Sequence, residues 1–365
     1  MRFLFEDYSS RPRVGDNALM NLASTSRSLF IGIAFASVVA AGCGGDDGGG
    51  EPGVDASPGN GNGSADSQFA YLDQVTMATI SGGEPTCCKD FGAISKAKIE
   101  NDEDAVDNAL AHLASAIEDT GFIDFSFQDT IDGQLEAGGR VLLFGHDDLT
   151  SDTDTFTLNG FFGEFEGDTT YAEASAGDGS FTIDPLSYDS SGNVVIRFDD
   201  AALEGGELST TEATIAFTMP MGDQIVTVPL HSGELGGTAT LSDDGVSYAD
   251  GTLAGYLLLE DLFGEMNEFF KSDACSCLGI GDRDVFTYDN GWDSTCAQED
   301  DSDGDNTCEE DSACNMAEGG AVSVCSALPP ILVAEADIRT DAESSDYQGL
   351  SIGFGFTGVP AQIVE

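Results

Sequence analysis

Residues 213–230 read ATIAFTMPMGDQIVTVPL, and the alternation in this stretch decides the fold. Ala213, Ile215, Phe217 and Met219 fall on one side of an extended chain, with Thr214, Ala216 and Thr218 on the other. The second run repeats the pattern with Val226, Val228 and Leu230, and Gly222 and Asp223 stand between the two as turn formers. Working outward, similar short runs occur at 123–127 (IDFSF), 141–144 (VLLF), 154–162 (DTFTLNGFF), 179–184 (GSFTID), 193–198 (NVVIRF), 238–242 (TATLS) and 254–259 (AGYLLL). Together they make nine short strands separated by Gly, Asp and Asn.

The expectation is a mainly β fold: an antiparallel β-sandwich or barrel with one amphipathic helix and a disulfide-stapled acidic insert. The loose recurrence of LEGGEL (203–208), SGELGG (232–237) and DGTLAG (250–255) leaves a β-roll or prism as the alternative. The helix is expected over 102–121, where Val106, Leu110, Leu113 and Ile117 recur at steps of four, three and four. A short second helix is expected over 259–272, and 331–338 and 350–359 are expected to supply closing strands.

Upstream of this body the composition changes twice. Residues 29–41, LFIGIAFASVVAA, form an apolar run too short to span a bilayer, with Arg27 before it. Residues 1–42 therefore read as a signal peptide, with Met20 the expected start. Ala40-Ala41-Gly42-Cys43 closes the run and resembles the lipobox of bacterial lipoproteins. That resemblance implies that Cys43 is the lipidated N-terminus of the mature protein, where several acyl chains give stable anchoring. Gly44, where many inner-membrane lipoproteins carry aspartate, points to the outer membrane. Residues 43–67 form a Gly/Asp-rich tether with too little apolar surface to fold, and 68–365 form the β-rich domain.

The chain of 365 residues carries 67 acidic and 12 basic side chains, a net charge of -55. Such a field repels phosphate backbones, so nucleic acid is excluded as a partner. Setting Cys43 aside, eight cysteines remain: Cys87, Cys88, Cys275, Cys277, Cys296, Cys308, Cys314 and Cys325. An even set behind an export signal reads as disulfides. Adjacent Cys87 and Cys88 are expected to bridge to Cys275 and Cys277, and the other four to staple an insert at 272–328.

Residues 299–310, EDDSDGDNTCEE, lie in that insert. They resemble an EF-hand loop and, with the cysteines that follow, a thrombospondin type 3 repeat. The resemblance implies calcium held by Glu299, Asp301, Asp303, Asp305 and Glu310, with Gly304 at the sharp turn. More broadly, the lipobox and tether, DNALAHLA (107–114), CSCLG (275–279) and LSIGFGFTGVPA (350–361) resemble the acidic, cysteine-containing β-rich lipoproteins of myxobacteria and related delta-proteobacteria.

Catalytic signatures are absent: there is no G-x-S-x-G, H-E-x-x-H, Walker or dinucleotide motif. His146-Asp147-Asp148 reads better as a turn after 141–144 than as a metal or base site. The expected function is a non-enzymatic lipoprotein, anchored to the membrane through its N-terminal lipid and binding a polysaccharide or other envelope component. The alternatives are a secreted carbohydrate hydrolase or a structural envelope protein. A site lined by Tyr288, Trp292 and acids would favour a sugar ligand.

Overall fold

The computed structural model describes residues 68–81, 84–96, 106–119, 127–138, 141–151, 154–221, 224–272, 282–288, 292–294, 329–340, 343–344 and 346–364. Strand β1 (Gln68–Met77) opens the described residues, and two short strands, β2 (Ile80–Ser81) and β3 (Glu84–Pro85), form a small hairpin after it. Next come β4 (Val141–Asp147), β5 (Thr155–Phe165), β6 (Ser180–Ile183), β7 (Ile196–Glu204) and β8 (Glu207–Ser209). The series continues with β9 (Ala213–Met221), β10 (Gln224–Ser242), β11 (Gly245–Leu258), β12 (Phe286–Tyr288), β13 (Trp292–Ser294) and β14 (Gly349–Ile363). Helices α1 (Ala109–Asp119), α2 (Phe127–Ala137), α3 (Tyr171–Ser175) and α4 (Leu259–Lys271) complete the described elements with regular bounds.

Ten strands share one sheet, and eight of them close a ring in the order β1-β4-β5-β7-β8-β10-β11-β14, with β14 returning to β1. Every pairing around the ring is antiparallel and joins strands consecutive along the ring. This is an up-and-down meander whose last strand pairs with its first, so the fold is a barrel and neither a sandwich nor a roll. The quoted stretch 213–230 forms the β9–β10 hairpin, with Met221 opposite Gln224 as its turn spacing requires. Strands β8 and β9 lie end to end along one edge of β10, and 224–230 and 238–242, expected as separate strands, are one 19-residue strand. Register shifts between Tyr71/Gln74 in β1, His231/Glu234 in β10 and Tyr248/Gly251 in β11 mark the bulges that let the wall curve.

The interior is filled by the chain's own rings. Phe144 of β4 contacts Tyr248 of β11 and Phe356 of β14, and Tyr248 meets Phe356 edge-on at 5.4 Å. Gly251 of β11 sits opposite Phe356, whose ring lies 2.2 Å from where a Cβ would stand. Glycine at that position makes room for the ring inside the wall. On the outside, Tyr71, Val141, Leu143 and Phe161 form a second apolar layer with Leu135 of α2, Ala174 of α3 and Phe181 of β6. Helix α4 presents Leu259, Leu262, Phe263, Met266, Phe269 and Phe270 to the main core and packs on β10 and β11.

Four expectations are corrected. Phe127, expected to end a strand, begins helix α2; the rest of that run, 123–126, lies outside the described residues. Phe127, Ile131 and Leu135 recur at a step of four, which is a helical spacing. Residues 329–335 are helical, not a strand, starting at Pro329-Pro330 and burying Leu332 and Ala336 at the same spacing. Helix α1 begins only at Ala109, because the Asn108 side chain caps it by accepting from the Ala111 N–H at 3.1 Å; Val106 precedes it. Strand β4 runs on through His146 and Asp147, and the turn falls at Asp148, whose φ is 67°.

Candidate functional site

Most of the residues singled out above lie outside the described residues: Cys43, Glu299, Asp301, Asp303, Asp305, Glu310, Cys275, Cys277, Cys296, Cys308, Cys314 and Cys325. Cys87 and Cys88 are described, and they are bonded to each other across a cis peptide with their Cα atoms 3.0 Å apart. The expected partners of this pair, Cys275 and Cys277, lie outside the described residues. Among the described residues no group of three or more His, Cys, Asp or Glu is arranged to hold a metal.

His146 projects into the barrel and is buried. Its Nδ1 lies 2.8 Å from the Gln68 carbonyl, which fixes the proton there and leaves Nε2 to accept from the Tyr248 hydroxyl. Burial pushes the imidazole down to about 4 and raises the Tyr248 phenol, so both are neutral and paired. A histidine whose two nitrogens are both used inside a packed core is structural.

A second polar cluster lies on the outside of β14. Asp337 accepts from the Ser351 amide at 2.9 Å with one oxygen and from the Ser351 hydroxyl with the other. The same hydroxyl accepts from the Ala109 N–H at 2.8 Å, so it joins Asp337 to the first turn of α1. One residue before the Asn108 cap, Asp107 accepts from the Phe91 N–H at 2.8 Å. Asn108 itself donates to the Cys87 and Gly353 carbonyls at 3.0 Å each. Burial pushes Asp337 up to about 7, helped by the charge of Asp107, and burial raises Asp107 as well.

On the wall formed by β10 and β11, Lys89 bonds Glu212 at 2.7 Å and Glu234 at 2.8 Å. Burial alone would lower the ammonium, but these two bonds outweigh it and raise it. The bond from Lys89 holds Glu212 below the usual carboxylate range. Glu212, held in its charged form by this ammonium, is poorly suited to act as a general acid. Beside it, His231 bonds Asp261 at 2.8 Å and stacks on Tyr256 at 5.5 Å.

An exposed aromatic side chain sits on the β12–β13 hairpin. Asn267, buried in α4, accepts from the Val285 and Phe286 amides at 2.9 and 2.8 Å and donates to the Phe286 carbonyl at 2.9 Å. Phe286 is buried against Phe263 of α4, and Trp292 packs on the same Phe263 with ring centroids 4.6 Å apart. Lys271 at the end of α4 bonds Asp284 at 2.7 Å. Tyr288 lies directly opposite Trp292, edge-on at 5.4 Å, and is 56% exposed. The hairpin thus holds an exposed ring beside the partly buried Trp292, which is backed by the buried Phe263 and Phe286. Tyr288 and Trp292 were both legible in the sequence, whereas Asn267, which fixes the hairpin, carried no signal there.

Comparison with known protein families, with curated protein sequences and with solved structures finds no match to this chain.

Proposed function

We propose that this chain is an extracytoplasmic lipoprotein, anchored through Cys43, that binds a neutral envelope glycan at Tyr288 and Trp292 without catalysing its turnover. The observation that carries the reading is the exposed Tyr288 ring, held edge-on to a Trp292 that is itself backed by Phe263. Rings fixed in this way offer apolar faces to the C–H faces of a sugar at little entropic cost. The net charge of -55 disfavours anionic glycans, which leaves neutral ones. Calcium at Glu299, Asp301, Asp303, Asp305 and Glu310, a loop that begins five residues after Ser294, would order the chain next to the hairpin. The tether gives the domain a reach of roughly 5–6 Å times the square root of its length from the membrane.

The test is titration of the mature protein with neutral polysaccharide extracted from the outer envelope, with calcium and with chelator. Saturable binding that Tyr288→Ala weakens and chelator reduces is the expected result. Equal binding by the unmodified protein and by Tyr288→Ala would remove the hairpin from the account. Membrane fractionation of Cys43→Ser tests the anchor separately, with release from the membrane expected.

A further inference from the structure

We propose that the Asp107–Ser351–Asp337 cluster is an acid-tightened clasp, which holds α1 and the segment 89–96 against β14 and loosens as its carboxyls ionise. The clasp joins parts of the chain that are remote in sequence. Asp107 pairs with Lys89, Ser95 with Ile338, and Ile338 with Gly349 as isolated bridges, so the three segments around Lys89–Ser95, Asp107 and Ile338 are linked to the start of β14. The Ser351 hydroxyl ties the Ala109 amide to Asp337 across 242 residues of sequence. Ser95, Asn108 and Ser351 are each 1% exposed or less, so the carboxyls meet little water there.

Like charges face each other in this cluster without a compensating cation. Asp90 adds its charge to that of Asp107. The nearby cations are engaged elsewhere. Arg339 donates to the Ser344 and Ala93 carbonyls, Lys96 lies over the Tyr347 ring, and Lys89 is held by Glu212 and Glu234. Among the described residues no lysine, arginine or histidine lies within ion-pair distance of Asp107 or Asp337. Two ionised carboxylates there would repel each other through a poorly hydrated seam, and a proton on either one removes that repulsion.

The folded-state shift is upward. Protonation therefore favours the closed clasp fully at low pH, and the advantage is lost as pH rises through about 7. One unit of such a shift is a tenfold change in an equilibrium. We expect the protection of the Phe91, Ala109 and Ala111 amides against hydrogen exchange, corrected for the intrinsic pH dependence, to fall about tenfold or more between pH 5 and pH 8. The mature full-length protein is used, and amides of β4 and β5 serve as the internal reference. Asp337→Asn should hold the protected state at both values. Should that variant fail to fold, the carboxyl carbons of Asp107 and Asp337 are titrated by NMR in the unmodified protein. An apparent midpoint for Asp337 well above the ordinary carboxylate range supports the clasp. A midpoint near 4, or protection that does not change with pH relative to the reference, overturns it.

Discussion

His146 of β4 and Tyr248 of β11 are hydrogen-bonded to each other across the lumen, although three pairings separate their strands around the ring. The bond spans the barrel, and it is the main polar element among the Phe144, Phe156 and Phe356 rings. Tyr248→Phe leaves a buried imidazole nitrogen without a donor, which costs about 1–3 kcal/mol. Equilibrium denaturation at pH 8 reads this directly, and an unchanged midpoint would mean that water replaces the hydroxyl.

The same histidine and Asp337 pull the pH dependence of stability in opposite directions. The imidazole is held below its ordinary value, so its contribution is complete above about 6.5 and is lost as pH falls through about 4, up to roughly 3 kcal/mol. Asp337 is held above its ordinary value, so its contribution is complete at low pH and is lost as pH rises from about 4 through about 7. The unmodified protein should therefore show a shallow profile between pH 4 and 7. Asp337→Asn should expose a loss on the acid side, and His146→Gln a loss on the alkaline side. Two variants with the same slope as the parent would refute the assignment.

Two glycines mark where a side chain cannot fit. Gly251→Ala drives a methyl into the Phe356 ring, and Gly138, at φ +64° after the end of α2, has the Phe165 ring 2.0 Å from the position of a Cβ. Each substitution should lower stability by about 1–3 kcal/mol. Phe356→Leu should recover part of the loss in Gly251→Ala and none of the loss in Gly138→Ala. Recovery of neither or of both would show that the wall shifts as a whole.

The pairing of Cys87 with Cys88 predicts one tryptic peptide, under non-reducing conditions, that is lighter by two hydrogens than its reduced form. A crosslinked peptide joining 87–88 to Cys275 or Cys277 would show instead the bridges expected from the sequence.

Strand β7 could be read from alternation because it carries one buried and one exposed face, whereas β4 and β5, covered on both faces, stood out as short apolar runs. Strand β1 could not. Its bulge between Tyr71 and Gln74 breaks the period, and Tyr71 is buried on the outside beneath α2 and α3, so both faces carry apolar residues. Closure was hidden for the same reason, since it depends on β1 meeting β14. Helix α2 was masked by the alternating run before it, although Phe127, Ile131 and Leu135 carried its period. Of the candidate site, Tyr288 and Trp292 stood out by residue type. The clasp did not, because Asp107, Asp337 and Ser351 have no mutual spacing, and in a chain with 67 acids two more carry no signal.

The barrel closes where β1 meets β14, and its interior is packed with its own rings. The most direct measurement is a set of NOEs on the mature protein. The account predicts cross-strand contacts between β1 and β14, with Val75 opposite Phe356 and Phe69 opposite Ala361, together with contacts from the Tyr248 ring to Phe144 and His146. A β1 that shows NOEs to β4 alone, with none to β14, would describe an open sheet and contradict it.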